Sequence, residues 1–127
     1  MQKKFWIFDS WQNNLKIGML IYDTESRDFE IIVEKGLAPE KAPFIWEHFM
    51  KKGIYTIPKK WSKEWVTDRL TPPNRQMIGE SLRAAGIPIY TEYNMLIINM
   101  GKCSNDGCYI QPCNPNEDLS YETISIF

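Results

Sequence analysis

The chain has 127 residues, of which 43% are hydrophobic and 24% are charged, and its formal net charge is −1 at pH 7. This balance predicts one globular domain, and the small net charge excludes a strong overall attraction to nucleic acid or to an anionic membrane. No apolar run approaches the ~20 residues that a bilayer-spanning helix needs, and the N-terminal apolar stretch is too short for a secretory signal peptide, so we expect a cytoplasmic protein.

Three segments near the N-terminus have the patterns of β-strands. Residues 4–8 form a short apolar run typical of a strand that is covered on both faces. Residues 15–22 and 28–34 alternate apolar and polar side chains, and the polar residues between these two runs predict a β-hairpin. In the first of the two alternating runs, strict alternation places Leu15, Ile17, Met19 and Ile21 on one face.

Two helices are predicted in the middle of the chain. Residues 42–52 have Pro43 in the first turn, where proline is tolerated, and Gly53 follows as a C-terminal cap. Ser62 is a suitable N-cap for a second helix over residues 63–70. A brief extended piece over residues 54–57 precedes that helix.

The C-terminal half predicts two more helices and one more strand. One helix covers residues 74–85, and Thr91 is placed to cap another that continues to Asn99, although a strand is a serious alternative there. After a turn, residues 108–111 read as a short strand. The last residues, 121–127, could add an edge strand or remain mobile.

These patterns together predict an α+β fold, in which a small antiparallel sheet, made of the N-terminal β-hairpin plus a C-terminal strand, is packed by three or four short helices. We expect one domain over residues 1–113 and a C-terminal extension over residues 114–127. The expected core draws on every part of that domain: Phe5, Ile7, Ile17, Met19, Ile21, Phe29, Ile31, Phe49, Ile78, Leu82 and Leu96.

Candidates for catalysis or metal binding are weak. His48 is the only histidine and falls in an apolar helical segment, where a structural role is the commoner outcome. No phosphate-binding loop, nucleophile motif or kinase signature is present. Cys103, Cys108 and Cys113 are five residues apart, which does not match the paired spacing of zinc sites, so we expect free thiols. We predict no catalytic residue, no metal site and no cofactor.

A cluster of basic and aromatic residues in the middle of the chain is open to three interpretations. Lysines with exposed rings suit single-stranded nucleic acid, but they are equally typical of a solvated rim over core tryptophans or of an interface for an acidic partner. The cluster consists of Lys51, Lys52, Lys59, Lys60 and Lys63 with Tyr55, Trp61 and Trp65.

The order of motifs resembles a known family. Residues 65–112 contain a helix, a proline stop, two further helices and a G-x-x-x-x-D-G turn before a short apolar strand, and the segments K-I-G-M-L-I-Y and F-E-I-I-V form the preceding hairpin. This order resembles the N-terminal subdomain of HipA-type serine/threonine kinases. Because the chain stops at Phe127 without a kinase domain, it looks like the HipS antitoxins of HipBST-like toxin–antitoxin systems, in which this subdomain stands alone.

The resemblance implies a non-catalytic antitoxin that binds and inhibits a HipA/HipT-type kinase, with or without a HipB-like DNA-binding protein in the complex. Two alternatives stay open. One is a small nucleic-acid-binding protein that uses the lysine cluster, which the net charge does not favour, and the other is a mobile-element or phage protein that inhibits a different host factor.

Residues on the predicted helix after Ser62 are the candidates for partner binding. Trp61 and Trp65 are four residues apart and would share a helix face if the helical geometry starts one residue early, while Val66 and Leu70 supply the core contact. We therefore expect at least one tryptophan to face outward as an anchor for the partner. The predicted partner-binding residues are Trp61, Trp65, Lys60, Lys63 and Arg69.

Overall fold

A computed structural model describes residues 1–70 and 78–123 of the chain. In these residues the fold is α+β, with one five-stranded antiparallel sheet and four short helices, which confirms the predicted class. The strands are β1 (Gln2–Asp9), β2 (Leu15–Asp23), β3 (Phe29–Val33), β4 (Thr56–Ile57) and β5 (Cys108–Pro112), and the helices are α1 (Phe44–Met50), α2 (Lys59–Thr67), α3 (Ile78–Ala85) and α4 (Glu92–Ile98).

The strand order across the sheet is β4-β3-β2-β1-β5, with every neighbouring pair antiparallel. β1, β2 and β3 form a meander, which contains the predicted hairpin. β5, which comes from the C-terminal part of the chain, pairs with the edge of β1 that β2 leaves free. This confirms the predicted C-terminal strand of the sheet. Among the described helices, none has the length and apolar content needed to cross a membrane.

A β-bulge interrupts the pairing of β1 with β2. Ile7 pairs with Gly18, whereas the next residue, Phe8, pairs with Lys16, so Ile17 is one extra residue in β2. Such an insertion leaves two residues of one strand opposite one residue of its partner and shifts the alternation of faces by one position. Ile17 and Gly18 are consequently both buried.

The bulge makes one sequence prediction wrong. Leu20 and Tyr22 are the buried residues of β2 beyond the bulge, while Met19 and Ile21, which we had expected in the core, are only half-buried. A shift of one residue moves every later side chain to the opposite face. Gly18 is needed at this point because a Cβ atom there would lie 2.7 Å from the Ile32 carbonyl oxygen.

Most of the expected core is present. Phe5, Ile7, Ile17, Phe29, Ile31 and Leu96 are buried and belong to one cluster with the side chains of α1, α2 and α4. Phe49 is half-buried against that cluster. Ile78 and Leu82 are also half-buried, but α3 buries none of its residues, so the expectation that they belong to the core is wrong.

The beginning of α2 differs from the prediction. The helix starts at Lys59, with Pro58 in the N-cap position, and Ser62 lies inside it rather than at its end. The buried Ser62 hydroxyl donates to the Ile57 carbonyl oxygen at 3.0 Å and accepts from the Ile31 backbone N–H at 3.0 Å. Ser62 therefore fastens α2 to the edge of the sheet, a tertiary role that its capping propensity does not indicate.

The predictions for α1, α3 and α4 agree with the structure over the described residues. Thr91 caps α4, since its side chain accepts from the Asn94 backbone N–H at 3.0 Å, and the segment is a helix rather than a strand. α1 lies within the predicted residues 42–52. The predicted helix over residues 74–85 is observed as α3 where the structure describes it, and residues 74–77 lie outside the described part.

The segment after β5 returns across the domain. Leu119 and Tyr121 pack against the core, and the Glu122 backbone is held by the completely buried side chain of Asn94. The Asn94 amide donates to the Glu122 carbonyl oxygen at 2.9 Å, and its oxygen accepts from the Glu122 N–H at 2.6 Å. The Glu122 carboxylate in turn accepts hydrogen bonds from Tyr22 at 2.7 Å and from Thr91 at 2.9 Å.

We call these contacts the Glu122 clamp, which comprises Asn94, Thr91, Tyr22 and Glu122. The described residues 121–123 form no strand, and the rest of the stretch that could have added an edge strand, residues 124–127, lies outside the described part.

Candidate functional site

The structure places Trp65, one of the predicted partner-binding residues, in the core. Its side chain is 9% exposed. The ring lies 5.9 Å from the ring of Trp46 between centroids, and the Arg69 guanidinium carbon lies 3.7 Å from the Trp65 centroid on the ring face. Trp65 thus does not face outward, because the neighbouring α1 and the arginine one turn later both cover it.

Arg69, also predicted to contact the partner, is engaged within the fold. Its side chain is only 4% exposed, and its Nη2 lies 2.8 Å from Asp106 Oδ2. Nη1 donates to the Gly101 carbonyl oxygen at 2.8 Å and Nε donates to the Trp65 carbonyl oxygen at 3.1 Å. The guanidinium therefore joins the end of α2 to the turn before β5, and a partner could reach it only by breaking these bonds.

The other three predicted residues lie at or near the surface. Trp61 is half-buried against the core, and Lys60 Nζ lies 5.3 Å from the centroid of its ring. Lys63 is exposed, with Nζ 3.6 Å from a Glu92 carboxylate oxygen. The structure thus leaves Trp61, Lys60 and Lys63 accessible, and it separates them from Trp65 and Arg69.

The lysine cluster does not form a concentrated positive surface. Three of its five lysines have a carboxylate oxygen within 4 Å, which neutralises much of their field. A nucleic-acid site instead needs lysines that are free to neutralise phosphates. The paired lysines are Lys51 with Glu47, Lys59 with Asp28 and Lys63 with Glu92.

Exposed apolar side chains mark a different surface, at the start of α1. Phe44 is 82% exposed and Ile45 is 38% exposed. Pro43 occupies the N-cap position of α1, so the helix begins with Phe44 projecting from its first turn. Large exposed aromatic side chains are characteristic anchors of protein interfaces, and Phe44 is the most exposed of the large hydrophobic side chains in the described residues.

A groove of ≈140 Å³ lies beside Phe44, between the start of α1 and one face of α2. We call it the tryptophan groove. Three of its walls are indole rings, and two carboxylates lie on the α2 side. It is defined by Phe44, Trp46, Trp61, Glu64, Trp65 and Asp68.

The charge in the tryptophan groove is negative. Glu64 and Asp68 are four residues apart, which places them on the same side of a helix, and both are exposed. Among the described residues, no lysine or arginine nitrogen lies within 4 Å of either carboxylate. This differs from the basic rim that the sequence predicted around the tryptophans.

Two of the residues that line the groove carry a buried hydrogen-bond donor without an acceptor. The Nε1 atoms of Trp46 and Trp65 are buried, and neither has an acceptor within the described part of the protein. A buried donor that lacks a partner costs about 1–3 kcal/mol. Buried polar groups of this kind are uncommon in native proteins.

The cysteines and the histidine show no arrangement for catalysis. Burial raises the pKa of the Cys108 thiol to about 12, which keeps it protonated and unreactive at neutral pH. All three cysteines are free, and His48 is exposed, with its ring edge-on to Phe49 at 5.5 Å. Within residues 1–70 and 78–123, no group of three histidine, cysteine or acidic side chains is arranged to hold a metal ion.

Sequence reasoning missed the residues that build the groove, although a signal was present. Phe44, Ile45 and Trp46 are three consecutive apolar residues at the start of a helix, and one helix face cannot bury all three. On α2 the spacing of Trp61, Glu64 and Trp65 puts acidic and aromatic side chains on adjoining positions.

Comparisons of the chain with models of known protein families, with curated proteins and with solved structures found no match. The surface chemistry described above and the order of motifs in the sequence are the features that bear on function.

Proposed function

We propose that the chain is a non-catalytic binding protein whose partner docks on the tryptophan groove and the adjoining start of α1. The observation that supports this most directly is Phe44, an aromatic side chain 82% exposed beside the groove. Burial of such a side chain at an interface removes a large apolar area from water. The carboxylates of Glu64 and Asp68, which line the same groove, supply polar contacts that give specificity.

The partner that we propose is a HipA/HipT-type serine/threonine kinase in the cytoplasm, which the chain inhibits in the manner of a HipS antitoxin. The support is the order of motifs from the opening hairpin to the strand over residues 108–112, together with a surface suited to protein binding. A HipB-like DNA-binding protein could join the same complex through the kinase.

The experiment that tests this proposal mixes the purified chain with a HipT-type kinase and measures both binding by calorimetry and kinase autophosphorylation. We expect a stable complex in which autophosphorylation falls. In cells, co-expression should relieve the growth arrest that the kinase causes. Absence of both binding and neutralisation would refute the kinase partner.

Two variants locate the interface. Phe44→Asp places a charge where an apolar anchor is expected, and it should weaken binding by 30-fold or more, equivalent to at least ~2 kcal/mol. Trp11→Asp is the matched control, because Trp11 is 71% exposed but lies at a different surface, beside Gly107. If Phe44→Asp binds as tightly as the control, the interface lies elsewhere.

A further inference from the structure

The size of the tryptophan groove indicates what it can hold. Its volume of ≈140 Å³ is less than half of the ~300 Å³ at the lower end of small-molecule pockets. The groove therefore fits a single side chain inserted from a partner rather than a folded element or a cofactor.

The walls of the groove favour a cation. Indole rings attract cations through the negative potential of their faces, and arginine is the cation most often found there. This chain already uses that contact, since the Arg69 guanidinium stacks on the Trp65 face at 3.7 Å and Lys60 Nζ lies 5.3 Å from the Trp61 centroid. Trp61, which is only half-buried, is the ring that remains accessible from the groove.

The α2 side of the groove supplies the opposite charge. Glu64 and Asp68 lie one helical turn apart and have no cationic partner within the described residues. A guanidinium presents several N–H donors in a planar fork, which matches carboxylates better than the point charge of an ammonium does. This geometry favours arginine over lysine.

The indole N–H groups of Trp46 and Trp65 are not part of the accessible surface of the groove. Trp46 and Trp65 line the groove, are 1% and 9% exposed, and have Nε1 atoms without an acceptor in the described protein. Indole nitrogen can only donate. Because both Nε1 atoms are buried, the groups that a ligand in the groove can contact are the Trp61 ring and the two carboxylates.

We propose that the tryptophan groove binds an arginine side chain of a partner protein, with Glu64 and Asp68 accepting from its guanidinium and Trp61 stacking on it. This inference rests on the proposed function as a binding protein and specifies the chemistry of the contact. It assigns the acidic groove, rather than the lysine cluster, as the electrostatic determinant of partner choice.

The experiment uses the full chain and a defined probe, N-acetyl-arginine N-methylamide, titrated while the indole N–H signals are followed by NMR. We expect the signals of Trp46, Trp61 and Trp65 to move with a Kd on the order of 1 mM, as suits a fragment of this size. The matched probe is the citrulline amide, which has nearly the same shape without the charge, and it should bind at least tenfold more weakly.

Variants of the carboxylates give a second test. The double variant Glu64→Gln/Asp68→Asn should weaken binding of the arginine amide tenfold or more. Glu80→Gln, an exposed carboxylate on α3, should leave it unchanged. Equal binding of the two probes, or no movement of the three indole signals at 20-fold the expected Kd, would overturn the inference. Kinase binding that depends on Phe44 would still support the proposed function in that case, so the two failures are distinguishable.

Discussion

Replacement of Asn94 by alanine should destabilise the protein more than replacement of any other asparagine that the structure describes. The Asn94 side chain is fully buried and makes three hydrogen bonds, to the Ile89 carbonyl oxygen at 3.1 Å and to both backbone groups of Glu122. At about 1 kcal/mol for each bond, Asn94→Ala should lower the free energy of unfolding by about 3 kcal/mol. For a domain of this size, that corresponds to a fall in Tm of roughly 10 °C.

Urea unfolding followed by circular dichroism measures this loss, and amide hydrogen exchange shows where it acts. We expect exchange of the Glu122 amide to accelerate first, because that N–H loses its acceptor. Asn105→Ala is the matched control, since Asn105 is exposed, and it should change stability by less than about 0.5 kcal/mol. If the two variants unfold at the same urea concentration, the Glu122 clamp does not hold the segment after β5 in solution.

Three further changes test other parts of the fold. Gly18→Ala should lower the free energy of unfolding, measured in urea, by about 1–3 kcal/mol, because the added Cβ would lie 2.7 Å from a backbone atom and 3.3 Å from the Trp46 ring. If the variant is as stable as wild type, the backbone at the bulge can shift to make room for the methyl group. Arg69→Ala should lower the free energy of unfolding by about 2–4 kcal/mol in the same assay. This is somewhat less than the loss on breaking a fully buried ion pair, because Asp106 is partly exposed. A loss of kinase binding with unchanged stability would instead indicate that Arg69 contacts the partner. Backbone N–H groups of the following loop lower the pKa of Asp23. The contribution of the ionised Asp23 to the free energy of unfolding is therefore present at neutral pH and is lost as the pH falls through that lowered pKa. Asp23→Asn should lose less stability than wild type between pH 7 and pH 2 in urea titrations, and equal losses would contradict this.

Local patterns were sufficient to predict the class of fold and several elements. The alternation in residues 15–22 and 28–34 predicted β2 and β3 because one face of each strand packs on the core. Thr91 was correctly predicted as a cap because that interaction is completed within four residues. Each of these features is determined by residues that are close together in the sequence, so it can be predicted from the sequence alone.

The features that were missed depend on distant residues. The bulge at Ile17 is set by the pairing of β2 with β1, and alternation along one strand does not reveal it. Arg69 was expected beside an outward-facing tryptophan, but Asp106, which neutralises it, comes 37 residues later. The tryptophan groove needs α1 and α2 side by side, and only the packed structure brings them together.

The place of β5 in the sheet has a consequence for biosynthesis. β1 (Gln2–Asp9) acquires its second neighbour only when β5 (Cys108–Pro112) has been made, about 100 residues later. At translation rates of about 5–20 residues per second, one edge of β1 remains without its partner for roughly 5–20 s. During that interval an unpaired strand edge with apolar neighbours is available to other nascent chains. We therefore expect the yield of folded protein to depend on chaperones that cover this edge until β5 emerges.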